Sequence, residues 1–183
     1  MVAYRNRTRD EIRDIYHSRF DGQQWSNPQT VYQDSWKLGA CPVNGPQLAA
    51  ADSTVLLAWH TEADDNPRAK AAISTDDGQT FGSPINLNKK PSLGRVDAAL
   101  YNGKAYVSWI EQAGQNQQLA NLQLGSFSVR DTALQTQHIA SVNSSRQTGF
   151  PQMEVLGNEL IFAWTDVDST STSISTRKMQ LLK

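Results

Sequence analysis

Arginine, asparagine and aspartate side chains that could bind an anion occur in the polar segments between predicted strands. Arg95 and Arg146 lie in two of these segments, LGRVD and SSRQTGFPQ. Two guanidinium groups that approach from adjacent elements can hold a carboxylate through bidentate hydrogen bonds. The same charges could instead pair with Asp97 and neighbouring loops, since structural ion pairs are common. The candidate substrate-binding residues are Arg13, Asp14, Asn44, Arg95, Asp97 and Arg146.

Other reactive residue types give weaker signals, and no catalytic residue can be assigned from them. The single cysteine, Cys41, precedes a proline and has no histidine nearby in sequence, so we expect a small packed hydrophobe rather than a nucleophile. His17, His60 and His138 do not have the spacing of metal ligands. We therefore expect neither a metal nor a cofactor. His60 and Glu62 follow an apolar run, and we expect them to be exposed.

The bulk composition describes a chain with little net charge. The 183 residues suffice for one domain with a core, and the formal net charge of −1 gives no field that would favour nucleic acid. No apolar run is long enough to span a bilayer, and the start of the chain lacks an apolar signal core. These features fit a secreted or periplasmic parent protein whose first part is not in this sequence.

Three similar apolar segments show that the chain is a tandem repeat. Val55–Trp59, Ala105–Trp109 and Leu160–Trp164 each end in tryptophan, at intervals of 50 and 55 residues, and Tyr4 lies one further interval upstream. A period of this size indicates an array of similar supersecondary units.

Each unit is predicted to contain four short antiparallel strands. Turn residues such as Asp52-Ser53 and Asn102-Gly103 separate the predicted strands. The first unit lacks its first strand, and the last unit ends after its third, near Leu182. In the two complete units the predicted strands are Gln47–Ala51, Thr54–Glu62, Arg68–Ser74 and Pro84–Asn88, then Val96–Tyr101, Lys104–Glu111, Leu119–Leu124 and Thr136–Ala140.

Tandem four-stranded units of this length predict an all-β fold, a β-propeller with about three and a half blades. A β-sandwich also has regular short strands, but it does not explain the recurring tryptophan. We interpret residues 1–183 as one partial propeller domain. Its units are an incomplete blade at 1–35, blades at 36–90 and 91–142, and an incomplete blade at 143–183.

The segment STDDGQTF predicts a self-contained turn rather than a catalytic site. The Asp76 carboxylate can accept backbone N–H bonds, Gly78 tolerates a positive φ, and Phe81 can bury its ring beneath the turn. A weaker copy begins at Ser18 and ends at Trp25. The residues assigned to this structural motif are Ser74, Asp76, Gly78, Thr80 and Phe81.

This motif resembles the Asp-box, or bacterial neuraminidase repeat, of sialidase-like propellers. The segments YRNRTRDEIRDI, CPVNGP, LGRVD and SSRQTGFPQ add to that resemblance over the whole chain. It implies that the Asp-box lies at the end of the blades opposite to the ligand. It also implies an arginine triad on the substrate carboxylate, of which Arg95 and Arg146 could be members and Arg13 a weak third.

The sequence departs from the sialidase pattern in two respects. No Arg-Ile-Pro motif occurs, and no tyrosine lies beside a glutamate at the expected site, because Tyr4, Tyr101 and Tyr106 fall inside predicted strands. Sialidase propellers have six blades. The resemblance therefore implies that a second copy of the chain, or a missing N-terminal half, completes the ring.

Two functions remain open from the sequence. The first is a sialidase-like propeller that binds, and could hydrolyse, acidic glycans through arginines at the channel mouth. The second is a non-catalytic propeller module, or an inactive fragment of a longer protein, that binds a protein or a glycan through the same loops. Carbohydrate or another protein is the expected partner in both cases.

Overall fold

The computed structural model describes residues 1–114, 118–167 and 171–181. These residues form four antiparallel sheets, ordered β1-β2-β3, β4-β5-β6-β7, β8-β9-β10-β11 and β12-β13-β14. The strands of the first two sheets are β1 (Val2–Arg5), β2 (Ile15–Ser18), β3 (Gln29–Thr30), β4 (Gln47–Ala51), β5 (Thr54–Thr61), β6 (Arg68–Ser74) and β7 (Ile85–Asn86). Those of the last two are β8 (Ser92–Tyr101), β9 (Lys104–Gln112), β10 (Leu119–Ser128), β11 (Gln135–Asn143), β12 (Gln152–Leu156), β13 (Glu159–Val167) and β14 (Thr172–Gln180).

The sheets are consecutive meanders, as predicted for propeller blades, and the all-β fold class is confirmed. Only two short 3-10 turns, Ala63–Asp65 and Arg146–Thr148, interrupt the strands and loops of the described chain. The predicted strands of the second unit agree with β4 to β7 to within two residues at each end. In the third unit, β8 begins four residues earlier than predicted, at Ser92.

A middle strand is more fully buried when its sheet has a neighbouring sheet on both faces. In β5 and β9 nearly every residue is buried, because a sheet packs on each face. In β13 buried residues alternate with partly exposed ones, so one face of that sheet lacks a cover within the described chain. Three apolar clusters lie between successive sheets, centred on Trp59, Trp109 and Phe162.

Candidate functional site

Loops and crossovers from successive blades meet at one end of the sheets. The β1–β2 loop hydrogen-bonds to the β3–β4 crossover through Arg13 N to Trp36 O at 2.8 Å. The β3–β4 crossover in turn contacts the start of β8 through Asn44, and β8 contacts the β11–β12 crossover through Arg95. We call this end, formed by residues 36–46, 91–97 and 144–151, the channel mouth.

Arg95 lies inside β8 rather than in front of it, because the strand starts earlier than the sequence predicted. Gly94 and Arg95 have φ of 73° and 54°, and the pairing of β8 with β9 shifts at this point. Such a bulge re-aims a side chain. Arg95 Nη2 donates to the carbonyls of Ser144 and Ser145 at 3.2 and 2.9 Å, whereas Nη1 is buried without a hydrogen-bond partner.

Asn44 fixes the bulge from the preceding blade. Its Oδ1 accepts the Arg95 N–H at 2.9 Å, and its Nδ2 lies 3.5 Å from the Leu93 carbonyl. A Cβ at Gly94 would lie 2.5 Å from the side-chain amide carbon of Asn44, so only glycine fits beneath it. Both polar atoms of the Asn44 amide therefore bond to backbone in this structure.

Asp97 also bonds to backbone. Its Oδ2 accepts the Met153 N–H at 2.6 Å, and its Oδ1 accepts the Ala98 N–H at 2.8 Å. Burial raises the pKa of this carboxyl, and the two N–H donors partly oppose that shift. Asp97 thus joins β8 to β12, and its hydrogen bonds go to these amides.

Arg146 is exposed at the first position of the 3-10 turn before β12. Its positive charge lowers the pKa of Arg95, although burial is the larger cause of that shift. The positive charge of each arginine therefore acts on the other. Neither has a carboxylate partner at salt-bridge distance among the described residues.

Arg13 and Asp14 form part of the link between the first loop and the β3–β4 crossover. Arg13 Nε donates to the Leu38 carbonyl at 3.0 Å, and its Nη2 lies 2.7 Å from a Glu11 carboxylate oxygen. Asp14 is buried and accepts the Trp36 N–H at 3.3 Å, and burial raises the pKa of its carboxyl. Their hydrogen bonds and the Arg13–Glu11 salt bridge link the first loop to the β3–β4 crossover rather than to Arg95 or Arg146.

Arg5 is the principal inter-blade residue that the sequence analysis missed. Its guanidinium donates to the carbonyls of Asn44, Arg13 and His60 at 3.1, 2.7 and 2.5 Å, and it stacks 4.8 Å from the ring centroid of Trp36. Burial lowers the pKa of Arg5 to about 10, so the group stays protonated at neutral pH. The position of Arg5 at the end of a predicted strand was the only sequence feature that could have indicated this role.

Two sequence expectations are wrong at this end of the molecule. Cys41 is exposed rather than packed, because the β3–β4 crossover runs over the surface there. His60 is fully buried, with its Nε2 3.0 Å from Glu62 Oε1 and its ring edge-on to Trp36. Burial lowers the pKa of His60, which favours the neutral ring.

The STDDGQTF turn is closed by its own side chains. Asp76 Oδ1 accepts the Ser74 hydroxyl at 2.6 Å and the N–H groups of Gln79 and Thr80 at 2.9 Å each, and its Oδ2 accepts the Thr80 hydroxyl at 2.6 Å. These donors depress the pKa of the carboxyl. Phe81 packs against the cluster around Trp59.

The weaker copy of this turn is built differently. Asp21 Oδ1 accepts the N–H groups of Gln23 and Gln24 at 2.8 Å each. Its aromatic residue, Trp25, remains 53% exposed against Phe20 instead of tucking under the turn. An aspartate one place late therefore still closes the turn but does not bury the ring.

Neither a metal centre nor a membrane-spanning helix is seen in the described segments. No group of three or more His, Cys, Asp or Glu side chains in residues 1–114, 118–167 and 171–181 could hold a metal ion. Within the same residues, no helix has the length and apolar character needed to cross a membrane.

Comparison with known proteins places the fold among glycan-processing propellers. No protein-family model and no curated protein sequence matches the chain. Among solved structures, the Hadza microbial sialidase Hz136 is similar over 92% of this chain and 39% of its own, with 18% identity and a TM-score of 0.57. The NanB sialidase from Streptococcus pneumoniae is similar over 93% of this chain and 28% of its own, with 14% identity and a TM-score of 0.52.

A third solved structure extends the likeness beyond sialidases. The α-L-arabinofuranosidase Arb93A from Fusarium graminearum covers 74% of this chain with a TM-score of 0.53 and 13% identity. The chain spans 44% of that protein, and so less than half the length of each of the three. At these identities the likeness shows the fold alone, and the chain has the blade arrangement of part of a sialidase-like propeller.

Proposed function

We propose that this chain is the ligand-facing part of a carbohydrate-binding propeller, and that its channel mouth binds an acidic sugar. The observation that supports this proposal is the pair Arg95 and Arg146, two coupled positive charges without a carboxylate partner at salt-bridge distance among the described residues. A ligand carboxylate beside them would offset their repulsion.

The two arginines have different roles in this proposal. Arg146 is exposed and makes the direct contact with the ligand carboxylate. Arg95 is only 8% exposed, so its positive charge attracts the ligand carboxylate without a direct contact. Its Nη2 meanwhile holds the β11–β12 crossover in place. Asn44 and Asp97 support this arrangement by fixing the backbone of β8 and β12.

The test is binding selectivity between an acidic and a neutral sugar. We expect the chain to bind 3′-sialyllactose more tightly than lactose in isothermal titration calorimetry, and Arg146→Ala to remove that preference without lowering the melting temperature. Arg130→Ala is the matched control, because Arg130 is an exposed arginine in the β10–β11 loop, at the other end of the blade. Equal affinity of the native chain and Arg146→Ala for 3′-sialyllactose would refute the proposal.

Binding without hydrolysis is the second candidate function. Tyr4, Tyr101 and Tyr106 lie in β1, β8 and β9, as predicted, where their side chains belong to the sheets rather than to the loops of the channel mouth. This placement supports a module that binds glycan without a nucleophile from among these three tyrosines. Release of 4-methylumbelliferone from its sialoside by the purified chain would rule this candidate out.

A further inference from the structure

A polar cleft opens between the first two sheets, and neither Arg95 nor Arg146 lines it. It has a volume of about 300 Å³ and lies between residues 32–34 of the β3–β4 crossover, residues 61–66 after β5, and the outer strands β6 and β7. The cleft exists because β3 is two residues long and leaves the outer part of the second sheet uncovered. Arg68 and Lys70 of β6 face it, whereas Ala72 on the same face of that strand packs in the core.

A chain of contacts fixes an aromatic ring at the edge of this cleft. The indole N–H of the fully buried Trp59 donates to Asp34 Oδ2 at 2.7 Å, and Lys70 Nζ lies 2.5 Å from Asp34 Oδ1. The same ammonium lies 4.8 Å from the ring centroid of Tyr32. Contacts that begin at the buried Trp59 therefore position the Tyr32 ring, which remains 43% exposed.

The rest of the lining offers hydrogen-bond donors and acceptors without a dominant charge. Gln33, Asn66 and Asn86 supply amides, and the side chains of Asp34 and Lys70, only 3% and 16% exposed, neutralise each other. Asp64 and Arg68 add one charge of each sign. An exposed ring beside several amides suits the apolar face and the hydroxyl groups of a sugar, and it offers no excess charge for an ionic ligand.

We propose that this cleft is a second carbohydrate site, which binds a neutral oligosaccharide by stacking one sugar ring on the face of Tyr32 opposite to the Lys70 ammonium. The inference is independent of the acidic site proposed above, since the two sets of residues do not overlap.

The test uses cellotriose, xylotriose, maltotriose and lactose as probes, each titrated at millimolar concentration against the whole chain and followed by saturation-transfer NMR. We expect at least one probe to bind, and Tyr32→Ala to weaken it by about tenfold, the effect of losing a stacked ring. Tyr32→Phe keeps the ring and should retain most of the affinity. Trp25→Ala is the matched control, since it removes another exposed aromatic ring, which lies in the β2–β3 loop and does not line the cleft.

Two results would overturn the inference. One is that none of the four neutral sugars shows saturation transfer. The other is that Tyr32→Ala, folded by circular dichroism, binds its sugar as tightly as the native chain. 3′-Sialyllactose, which contains lactose, is titrated against Tyr32→Ala and against Arg146→Ala. Loss of binding in Tyr32→Ala reports on this cleft and loss in Arg146→Ala reports on the channel mouth, so failures at the two sites are distinguishable.

Discussion

Single side chains in this protein mostly bond to backbone of a different segment. Arg95, Asn44 and Asp97 each donate to or accept from the main chain of another blade or strand, and their contact with a ligand stays a prediction. Buried polar groups require such partners, and a backbone amide or carbonyl is the nearest one at a crossover. Arg146 is the exposed exception among the candidates at the channel mouth.

The Asp76 turn gives a pH-dependent prediction at this scale. Its carboxyl has a depressed pKa in the folded chain, so its contribution to stability is present above the ordinary pKa of 3.8 and is lost as pH falls further. We expect Asp76→Asn to lower the melting temperature at neutral pH, and the difference from the native chain to shrink in acid. Thermal unfolding followed by circular dichroism across this range measures it.

Asp77→Asn is the matched control for that prediction. Asp77 is the exposed neighbour in the same turn, and its replacement changes the net charge equally. A difference between Asp76→Asn and the native chain that stays constant with pH would contradict the assignment of the stabilising charge to Asp76.

Among the elements, the bounds of most strands were predictable from the sequence, whereas the bulge near the start of β8 was not. The alternation of apolar runs and turn residues gave β4 to β7 almost to the residue, because local propensity and burial agree there. The bulge at Gly94 and Arg95 was not predictable, since it depends on Asn44, about 50 residues away. Arg95 was chosen on the sequence, but its carbonyl partners at Ser144 and Ser145 lie about 50 residues away along the chain, so they could not be read from local sequence.

The β8 bulge leads to a prediction about that contact. Gly94→Ala should destabilise the chain by about 1–3 kcal/mol, because alanine at a φ of 73° is strained and its Cβ would meet the Asn44 amide. Gly103→Ala is the control, with a φ of 70° and nothing within 4 Å of the added Cβ. Urea unfolding of both variants separates the clash from the backbone strain.

The double variant Gly94→Ala/Asn44→Ala completes this experiment. Removing the Asn44 amide relieves the clash, so the two substitutions together should cost less than their sum. Additive effects of the two substitutions, or equal losses in Gly94→Ala and Gly103→Ala, would show that Asn44 does not hold the bulge.

On the scale of the whole molecule, successive blades are joined by apolar clusters and by arginines at the channel mouth. Arg5 joins the first sheet to the second, and Arg95 joins the third to the crossover before the fourth. The repeated tryptophans Trp59, Trp109 and Trp164 each lie in one of these clusters. Completion of the ring by a second copy or a further segment stays a prediction.

Replacing Arg5 tests how much the hydrogen bonds between blades contribute to stability. Arg5→Met keeps the apolar stem but removes the donors to three carbonyls, and we expect a loss of about 2–4 kcal/mol in the free energy of unfolding. Arg7→Met is the control, since the Arg7 side chain is 64% exposed in a surface ion pair and its replacement should leave the free energy of unfolding nearly unchanged. Equal losses in the two variants would mean that Arg5 does not join the blades.

The central claim, that an acidic sugar binds at the channel mouth, is tested most directly by mapping the ligand on the chain. Backbone amide shifts should be recorded by two-dimensional NMR during titration with 3′-sialyllactose, using the assigned native chain. The account predicts that the largest shifts fall on residues 144–149 and on Arg95, while the Asp76 turn at the other end stays unchanged. Shifts confined to residues outside the channel mouth, or no shifts at all, would contradict it.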